Sequence, residues 1–581
     1  MMKLTGIAAS SGIAIGRAFI LKELKLEPSR QTIEVYEVEA GITRIREAFR
    51  AAKTQLAAIR AGAAAQLGED NAAIFDAHLM ILDDPVLLEQ IERLVAEEHR
   101  HPVAAVTQVI EEHTATFAAM EDPYLRERAV DIRDIGRRLL AILAGVQLES
   151  LAELSEPSII VAHDLTPSDT AQASRDLVLG FATDVGGRTS HTAIMARALG
   201  IPAVVGSGQL TSVVSPGAMV IVDGTQGAVI VNPTPEVLEE YSALRARWSA
   251  EQEELRGLRD LPAQTRDGHR VELAANIGTP EEAAGAREWG AEGVGLFRTE
   301  FLFMNRDQLP SEEEQYQAYR AAAEAMAPGA VIIRTLDIGG DKQIPYLNIP
   351  PEMNPFLGWR AVRICLERRD LFRAQLRAIL RAGAHGRVRI MFPMIVTREE
   401  LLSCKEAVEE VKRELATEGA PYDPSTPMGI MVETPAAAVA ADLLAPEVDF
   451  FSIGTNDLIQ YTLAADRLNA KVAYLYEPLN PSVLRLIKGV IDAGHARGRL
   501  VGMCGEMAGE PLAIPVLLGL GLDEFSLSAS GIPLAKKIIR NLTLAEAREI
   551  AQSVLSFGSP GESRQYLKAA LQEIVARRNP D

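Results

Sequence analysis

From about Arg266 onward the chain alternates short β-rich runs with helical stretches, in about eight units over about 300 residues. The runs are Val271–Asn276, Gly293–Arg298, Val331–Asp337, Val388–Met394, Met428–Glu433, Phe450–Gly454, Leu500–Gly505 and Glu524–Ser528. Parallel neighbours cannot be joined by a tight turn, so a helix must intervene each time. Eight such units close on themselves most economically as a (β/α)8 barrel of the TIM type. No sequence repeat is evident between units. The segment Asn305–Gln315 and the loop Gly339–Pro355 are longer connections, and long loops often carry function.

The first half has a different texture. Residues 1 to about 20 read as one or two short strands, turned at Gly6, Gly12 and Gly16. From about Val35 to Val146 the chain is rich in Ala, Glu, Arg and Leu, with apolar residues at helical spacing: Ile42, Ile45 and Phe49, then Leu56 and Ile59, then Ile135, Leu139 and Ile142. Asp83-Asp84-Pro85 and Asp122-Pro123 interrupt it, which predicts a bundle of about four helices. Strand candidates return at Ile159–Val161, Val178–Phe181, Ala203–Val205 and Met219–Val222. If the first strands rejoin these, the bundle is an insertion. Leu238, Tyr241, Leu244 and Trp248 then share one face of a charged helix. The predicted organisation is multidomain α/β: residues 1–34 and 147–233 an α/β domain, 35–146 a helical insertion, 234–261 a linker helix, and 262–581 the barrel.

The polar residues fall at strand ends. Leu296-Phe297 runs into Arg298-Thr299-Glu300, Ile332-Ile333 into Arg334 and Asp337, and Met431-Val432 into Glu433. Ile453-Gly454 runs into Asn456-Asp457, and Gly502-Met503 into Cys504 and Glu506. In a β/α barrel these ends meet on one face, where active sites sit. Arg298, Arg334, Arg360 and Arg467, with Lys342, form a cationic cradle suited to phosphate and carboxylate. Glu433 and Asp457 supply hard oxygen ligands for Mg²⁺. A small substrate bearing both phosphate and carboxylate fits this mixture. Cys504 falls beside it, whereas Cys365 and Cys404 sit in helical patterns as buried apolar residues.

Gly186-Gly187-Arg188-Thr189-Ser190-His191-Thr192 sets a histidine where a glycine turn meets a helix, with Thr189 and Ser190 as candidate N-caps. A helix N-terminus is an anion site, so a histidine there can hold a phosphoryl group as well as act as a base; the alternative is a surface cap with an idle imidazole.

The net charge of −20 argues against nucleic acid or an anionic membrane and favours a basic partner. Three scattered cysteines, with no metal-ligand spacing, indicate a reducing compartment. No apolar run approaches the ~20 residues of a membrane span. The apolar start is broken by Ser10-Ser11-Gly12 and followed by Arg17, so it reads as a strand and not as a signal peptide. The cytoplasm is the expected location.

The segment Gly186–Thr192, continued by Ala193-Ile194-Met195-Ala196-Arg197, is similar to the phosphohistidine motif of phosphoenolpyruvate-utilising enzymes. Gly295–Phe303, Arg334–Lys342, Asn354–Arg360, Gly454–Leu458 and Gly502–Glu506 resemble the barrel motifs of one branch, the Enzyme I family of the bacterial phosphoenolpyruvate:sugar phosphotransferase system. The resemblance covers essentially the whole chain. It implies that His191 is phosphorylated, that Arg298, Arg334, Asn456 and Arg467 bind phosphoenolpyruvate, and that Glu433 and Asp457 bind Mg²⁺. It further implies Cys504 as proton donor, Arg360 and Lys342 as secondary ligands, and Thr170 as a hydrogen-bonding partner of the histidine. The α/β domain is then the phosphohistidine domain. The helical insertion becomes the docking site for the phosphocarrier HPr, around Phe75–Pro85, and the barrel domain the contact of a homodimer.

Two rivals differ in their requirements. A dikinase or phosphoenolpyruvate synthase needs a nucleotide-grasp domain ahead of the histidine, where this chain has helices and no Gly-rich phosphate loop. A signalling scaffold needs no full catalytic set. The nitrogen-branch paralogue carries a sensory domain at its start, whereas this sequence opens at Leu4-Thr5-Gly6-Ile7, which favours the sugar branch by analogy.

Overall fold

The computed structural model describes residues 1–577 apart from 22–30, 68, 121–122, 147–150, 152–153, 172–175, 188–189, 305, 341–343, 348 and 470. The chain divides into two compact units, Met1–Glu251 and Gln252–Asp581.

In the first unit, three strands precede the helices: β1 (Met2–Thr5), β2 (Ile7–Ser10) and β3 (Ile13–Leu21). Five follow: β4 (Ser158–Ala162), β5 (Val178–Thr183), β6 (Ala203–Val205), β7 (Met219–Asp223) and β8 (Ala228–Val231). They form one sheet in the order β1-β8-β7-β3-β4-β5-β6-β2, so the helices between β3 and β4 interrupt a single sheet. β3, β4, β5 and β6 run parallel, while β7 pairs antiparallel with β3 and β8. The third early strand and β8 both exceed the expectation from sequence. β8 follows β7 through the turn Gly224–Gly227, whose Gly227 has φ +71°, a short hairpin signal that apolar periodicity alone does not register.

The bundle holds five helices rather than about four: Val38–Leu67, Glu69–Asp83, Pro85–Glu97, Pro102–Ala118 and Pro123–Ala144. One break that the sequence reading did not mark lies at His99, which has φ +51°, followed by His101-Pro102 at the next helix start. Asp84 caps the third helix by accepting from the Val86 amide at 2.9 Å, and Pro85 fills its first turn. Ile45, Phe49, Ala52 and Leu56 recur at helical spacing and are all buried, packing with Ile91, Val95, Val106 and Leu139. Pro235–Gly257 is a long helix, with Tyr241 its one buried residue.

The second unit is a closed eight-stranded barrel, all parallel, as the alternation predicts. Its strands are β9 (Glu272–Ile277), β10 (Gly293–Phe297), β11 (Ala330–Arg334), β12 (Arg387–Phe392), β13 (Met428–Val432), β14 (Phe450–Ile453), β15 (Leu500–Met503) and β16 (Glu524–Leu527). The expected runs overshoot most strands by one to three residues at their C-terminal ends, because those extra residues are the polar ones that leave the sheet. Outward strand residues such as Ile333, Ile390, Phe392, Phe451 and Phe525 pack under the helices. Leu296, Ile332, Met391, Met431, Phe450 and Cys504 form a separate small cluster. Among the described residues, no helix is long and apolar enough to cross a membrane.

Phe451 is fully buried in the large helix-packed core. Phe451→Ala is expected to cost about 3–5 kcal/mol, read as a lower denaturant midpoint for the barrel unit.

Candidate active site

At the C-terminal end of the barrel strands lies a cleft of about 670 Å³. It is lined by Arg298, Arg334, Arg360, Glu433, Asn456, Asp457, Arg467 and Cys504. Eight of the nine barrel residues singled out from sequence therefore meet in one place; the ninth, Lys342, lies outside the described residues. The barrel supplies the convergence: six of the eight sit at or just past a strand end, and Arg360 and Arg467 come in from the connections that follow β11 and β14.

The arginines are not a uniform cradle. Arg298 is exposed and Arg467 half-buried, but Arg334 and Arg360 are buried and already paired. Asp337 holds both, accepting from Arg334 at 2.8 Å through one oxygen and from Arg360 at 2.9 Å through the other. Arg334 also meets Glu300 at 2.9 Å, and Arg360 reaches Asp457 at 3.5 Å and donates to the Tyr461 hydroxyl at 3.1 Å. Burial disfavours the charge on both guanidiniums, but the surrounding carboxylates outweigh it and hold them more firmly protonated than usual. Glu300, Asp337 and Tyr461 were not among the residues singled out as ligands. The i,i+3 spacing of Arg334 and Asp337 was the available signal.

Backbone strain gathers around this network. Ala361, next to Arg360, has φ +53°, and Met394 has φ +58°. The Met394 amide donates to Glu433 Oε1 at 2.6 Å. Gly339, at φ +110°, lies against Arg360 so closely that a side chain there would collide with it.

Glu433 is pushed up to about 8, first by burial and then by the neighbouring charges of Asp457 and Asp337. Two hard carboxylates that repel each other in a buried cleft suit a divalent cation. Among the described residues no cage of three or more acidic, His or Cys side chains forms, so any such ion would take further oxygens from a ligand or water. Asn456 and Glu506 exchange hydrogen bonds at 3.0 and 3.2 Å.

The Cys504 thiol is pushed up to about 11, chiefly by burial, although the Ser452 hydroxyl and the Arg334 charge act in the opposite direction. Desolvation outweighs the nearby cation. The thiol is protonated at neutral pH.

In the first unit, His191 opens the helix His191–Leu199 and is half-buried. Ser190 is the N-cap, accepting from the Ala193 amide at 3.4 Å, while Thr189 lies outside the described residues. Gly186, at φ +118°, packs against Ser190 and turns the chain into the helix. Thr170 ends a short capped helix, Pro167–Thr170, that packs against the His191 helix. Its buried hydroxyl donates to the Thr166 and Pro167 carbonyls, each at 3.1 Å.

Three family models match the chain. The PEP-utilising enzyme N-terminal domain covers residues 5–128, the mobile domain 154–227 and the PEP-binding domain 252–544. A phosphoenolpyruvate-protein phosphotransferase of Geobacillus stearothermophilus is 53% identical over 97% of this chain and 97% of its own length. One from Staphylococcus carnosus is 50% identical over 96% of this chain and 97% of its own. An NMR solution structure of an Enzyme I protein is 46% identical, covering 42% of this chain and 99% of that one, at a TM-score of 0.38.

Removing Asp337 would leave two buried guanidiniums without their shared counter-ion. Asp337→Ala is expected to cost about 3–5 kcal/mol of barrel stability, measured by denaturant unfolding; a loss below about 1 kcal/mol would mean that the pair is screened like a surface bridge.

Proposed function

This chain belongs to the Enzyme I family, the phosphoenolpyruvate-protein phosphotransferases of the phosphotransferase system, and from that premise we propose which residues carry the chemistry. Phosphoenolpyruvate binds in the barrel cleft. Arg298, Arg334 and Arg467 hold its phosphate and carboxylate together with Asn456, with Arg360 and Lys342 as secondary ligands. The observation that carries this reading is the meeting of Arg298, Arg334, Arg360, Asn456 and Arg467 with a protonated thiol in one cleft.

Mg²⁺ is the cofactor, held by Glu433 and Asp457. When bound, it neutralises charge on the substrate's phosphoryl oxygens. His191 attacks the phosphorus in line through Nε2, and the helix N-terminus behind it stabilises the phosphoryl group it receives. The Asp337 bridge fixes Arg334 and Arg360 before substrate arrives, so their charges need no reorganisation in the transition state. Cys504 then protonates the methylene carbon of the departing enolate, giving pyruvate. Thr170 steadies the histidine through the packing of its short helix against the His191 helix, its own hydroxyl being bonded to the Thr166 and Pro167 carbonyls.

The phosphohistidine domain next presents His191 to a histidine of HPr, swinging on the linker around Thr234–Leu261. HPr docks on the helical insertion. Within the expected docking stretch, Phe75, His78 and Leu82 are buried in the bundle, so the surface it offers is Met80, Asp83, Asp84 and Pro85. Exposed methionine beside two carboxylates suits a partner with an apolar, basic face. A homodimer through the barrel domain belongs to the same reading; exposed Val439, Leu443, Leu468 and Tyr474 support it. The enzyme works in the cytoplasm, where phosphoenolpyruvate is made.

Two variants test this. His191→Ala is expected to gain no phosphoryl group from phosphoenolpyruvate and Mg²⁺ by intact mass, and uptake would reject the assignment. Cys504→Ala is expected to lose about 10²-fold or more in pyruvate formation while exchanging phosphoryl groups with HPr normally. Loss of both reactions would assign the thiol to the fold instead.

A further inference from the structure

Cys504 cannot act twice without a new proton. Substrate above it closes the mouth to water during turnover, so the question is what lies beneath. In the layer below, three residues stand side by side: Ser452 on β14 pairs with Gly502 on β15, and Gly502 pairs with Glu524 on β16. Cys504 follows Gly502 by two residues, on the same inward face.

Glycine makes this layer polar. A Cβ on Gly502 would come 3.0 Å from Glu524 Oε1, and one on Gly295 would come 2.5 Å from both Glu524 Oε1 and Ser526 Oγ. The carboxyl therefore fills space that two missing side chains leave open, one of them at Gly502, the strand position between it and Ser452. Glu524 is 2% exposed and Ser452 fully buried. Glu524 Oε1 and Ser452 Oγ are both buried atoms without a regular hydrogen bond, which native interiors rarely tolerate without a role or a shared water. The Cys504 thiol itself donates to the Ile453 carbonyl at 3.9 Å, and the Ser452 hydroxyl on the adjacent strand acts to lower its pKa.

We propose, resting on Cys504 as the proton donor assigned above, that Glu524 is its proton reservoir, acting through the Ser452 hydroxyl from the side of the barrel opposite the substrate. As the methylene C–H bond forms, the Cys504 S–H bond breaks and leaves a thiolate. In one concerted shift, directly or across one bridging water, the Ser452 O–H proton passes to sulfur and the Glu524 O–H proton passes to Ser452 Oγ. The resulting carboxylate is recharged from solvent, so one proton enters per pyruvate and no other co-reactant is needed.

The entry is built into the fold. The charges facing Glu524 are Glu272, Asp523 and Arg389, the last at 4.0 Å. All three line an open cleft of about 730 Å³ among the N-terminal ends of the strands, with Arg387 and Leu500. Burial, and after it Glu272, pushes Glu524 up to about 8, so it holds a proton at neutral pH. Glu524 and Ser452 are positioning residues: they touch neither the substrate nor the reacting carbon.

The test compares first and later turnovers of the full chain, with phosphoenolpyruvate, Mg²⁺ and excess HPr. Glu524→Gln keeps the shape but offers no acidic proton. Its first equivalent of pyruvate per site is expected at the parent rate, because Cys504 is already protonated, and later turnovers are expected at least tenfold slower. Gly502→Ala, which fills the route, is expected to show the same split. An unchanged steady state in Glu524→Gln, or an equal slowing of first and later turnovers, overturns the relay. If Cys504→Ala made pyruvate normally, the donor assignment itself would fail, and that result separates the two readings.

Discussion

One carboxylate organises the barrel mouth. Asp337 gives one oxygen to Arg334 and the other to Arg360, and through them ties Glu300, Asp457 and Tyr461 into a single buried lattice. Isolated buried charges are costly, and each member is tolerable only because the others are present. The strained backbone at Ala361 and the bare Cα of Gly339 are local concessions that let Arg360 reach the aspartate. The cleft is thus pre-formed: the carboxylates paired with Arg334 and Arg360 fix both guanidiniums in place.

Much of this was legible in the sequence. Eight apolar runs announced eight strands, and polar residues at their ends announced where a site would form. Strand ends were read too long because the runs were carried on to Arg298, Asp337 and Gly505, which follow the apolar residues directly after the hydrogen-bond ladder has ended. The bundle core was readable at Ile45, Phe49 and Leu56 because a helix with one buried face must repeat. β8 was not, since four residues after a tight turn carry too little periodicity.

Less of the electrostatics could be read. Residue types identify Arg334 and Arg360 as cations, but only three-dimensional packing reveals that their charges are spoken for. The Cys504 shift is unreadable for the same reason: sequence lists the charges near a thiol and not the depth of its burial. Nor could sequence separate Ser452 and Glu524 from ordinary strand residues. Their pairing across Gly502 is a matter of barrel register, which a one-dimensional pattern does not contain.

The interruption of the first unit's sheet has a consequence for how the chain reaches its native state. β3 lies beside β4, with Arg17 paired to Ser158, and five helices intervene. During synthesis β3 emerges with its partner edge unformed, and bare edges invite pairing with other chains. The bundle's contacts are local, so it condenses early and brings its two ends together. The insertion is therefore also a folding clamp, shortening the search by which the sheet's two halves find each other.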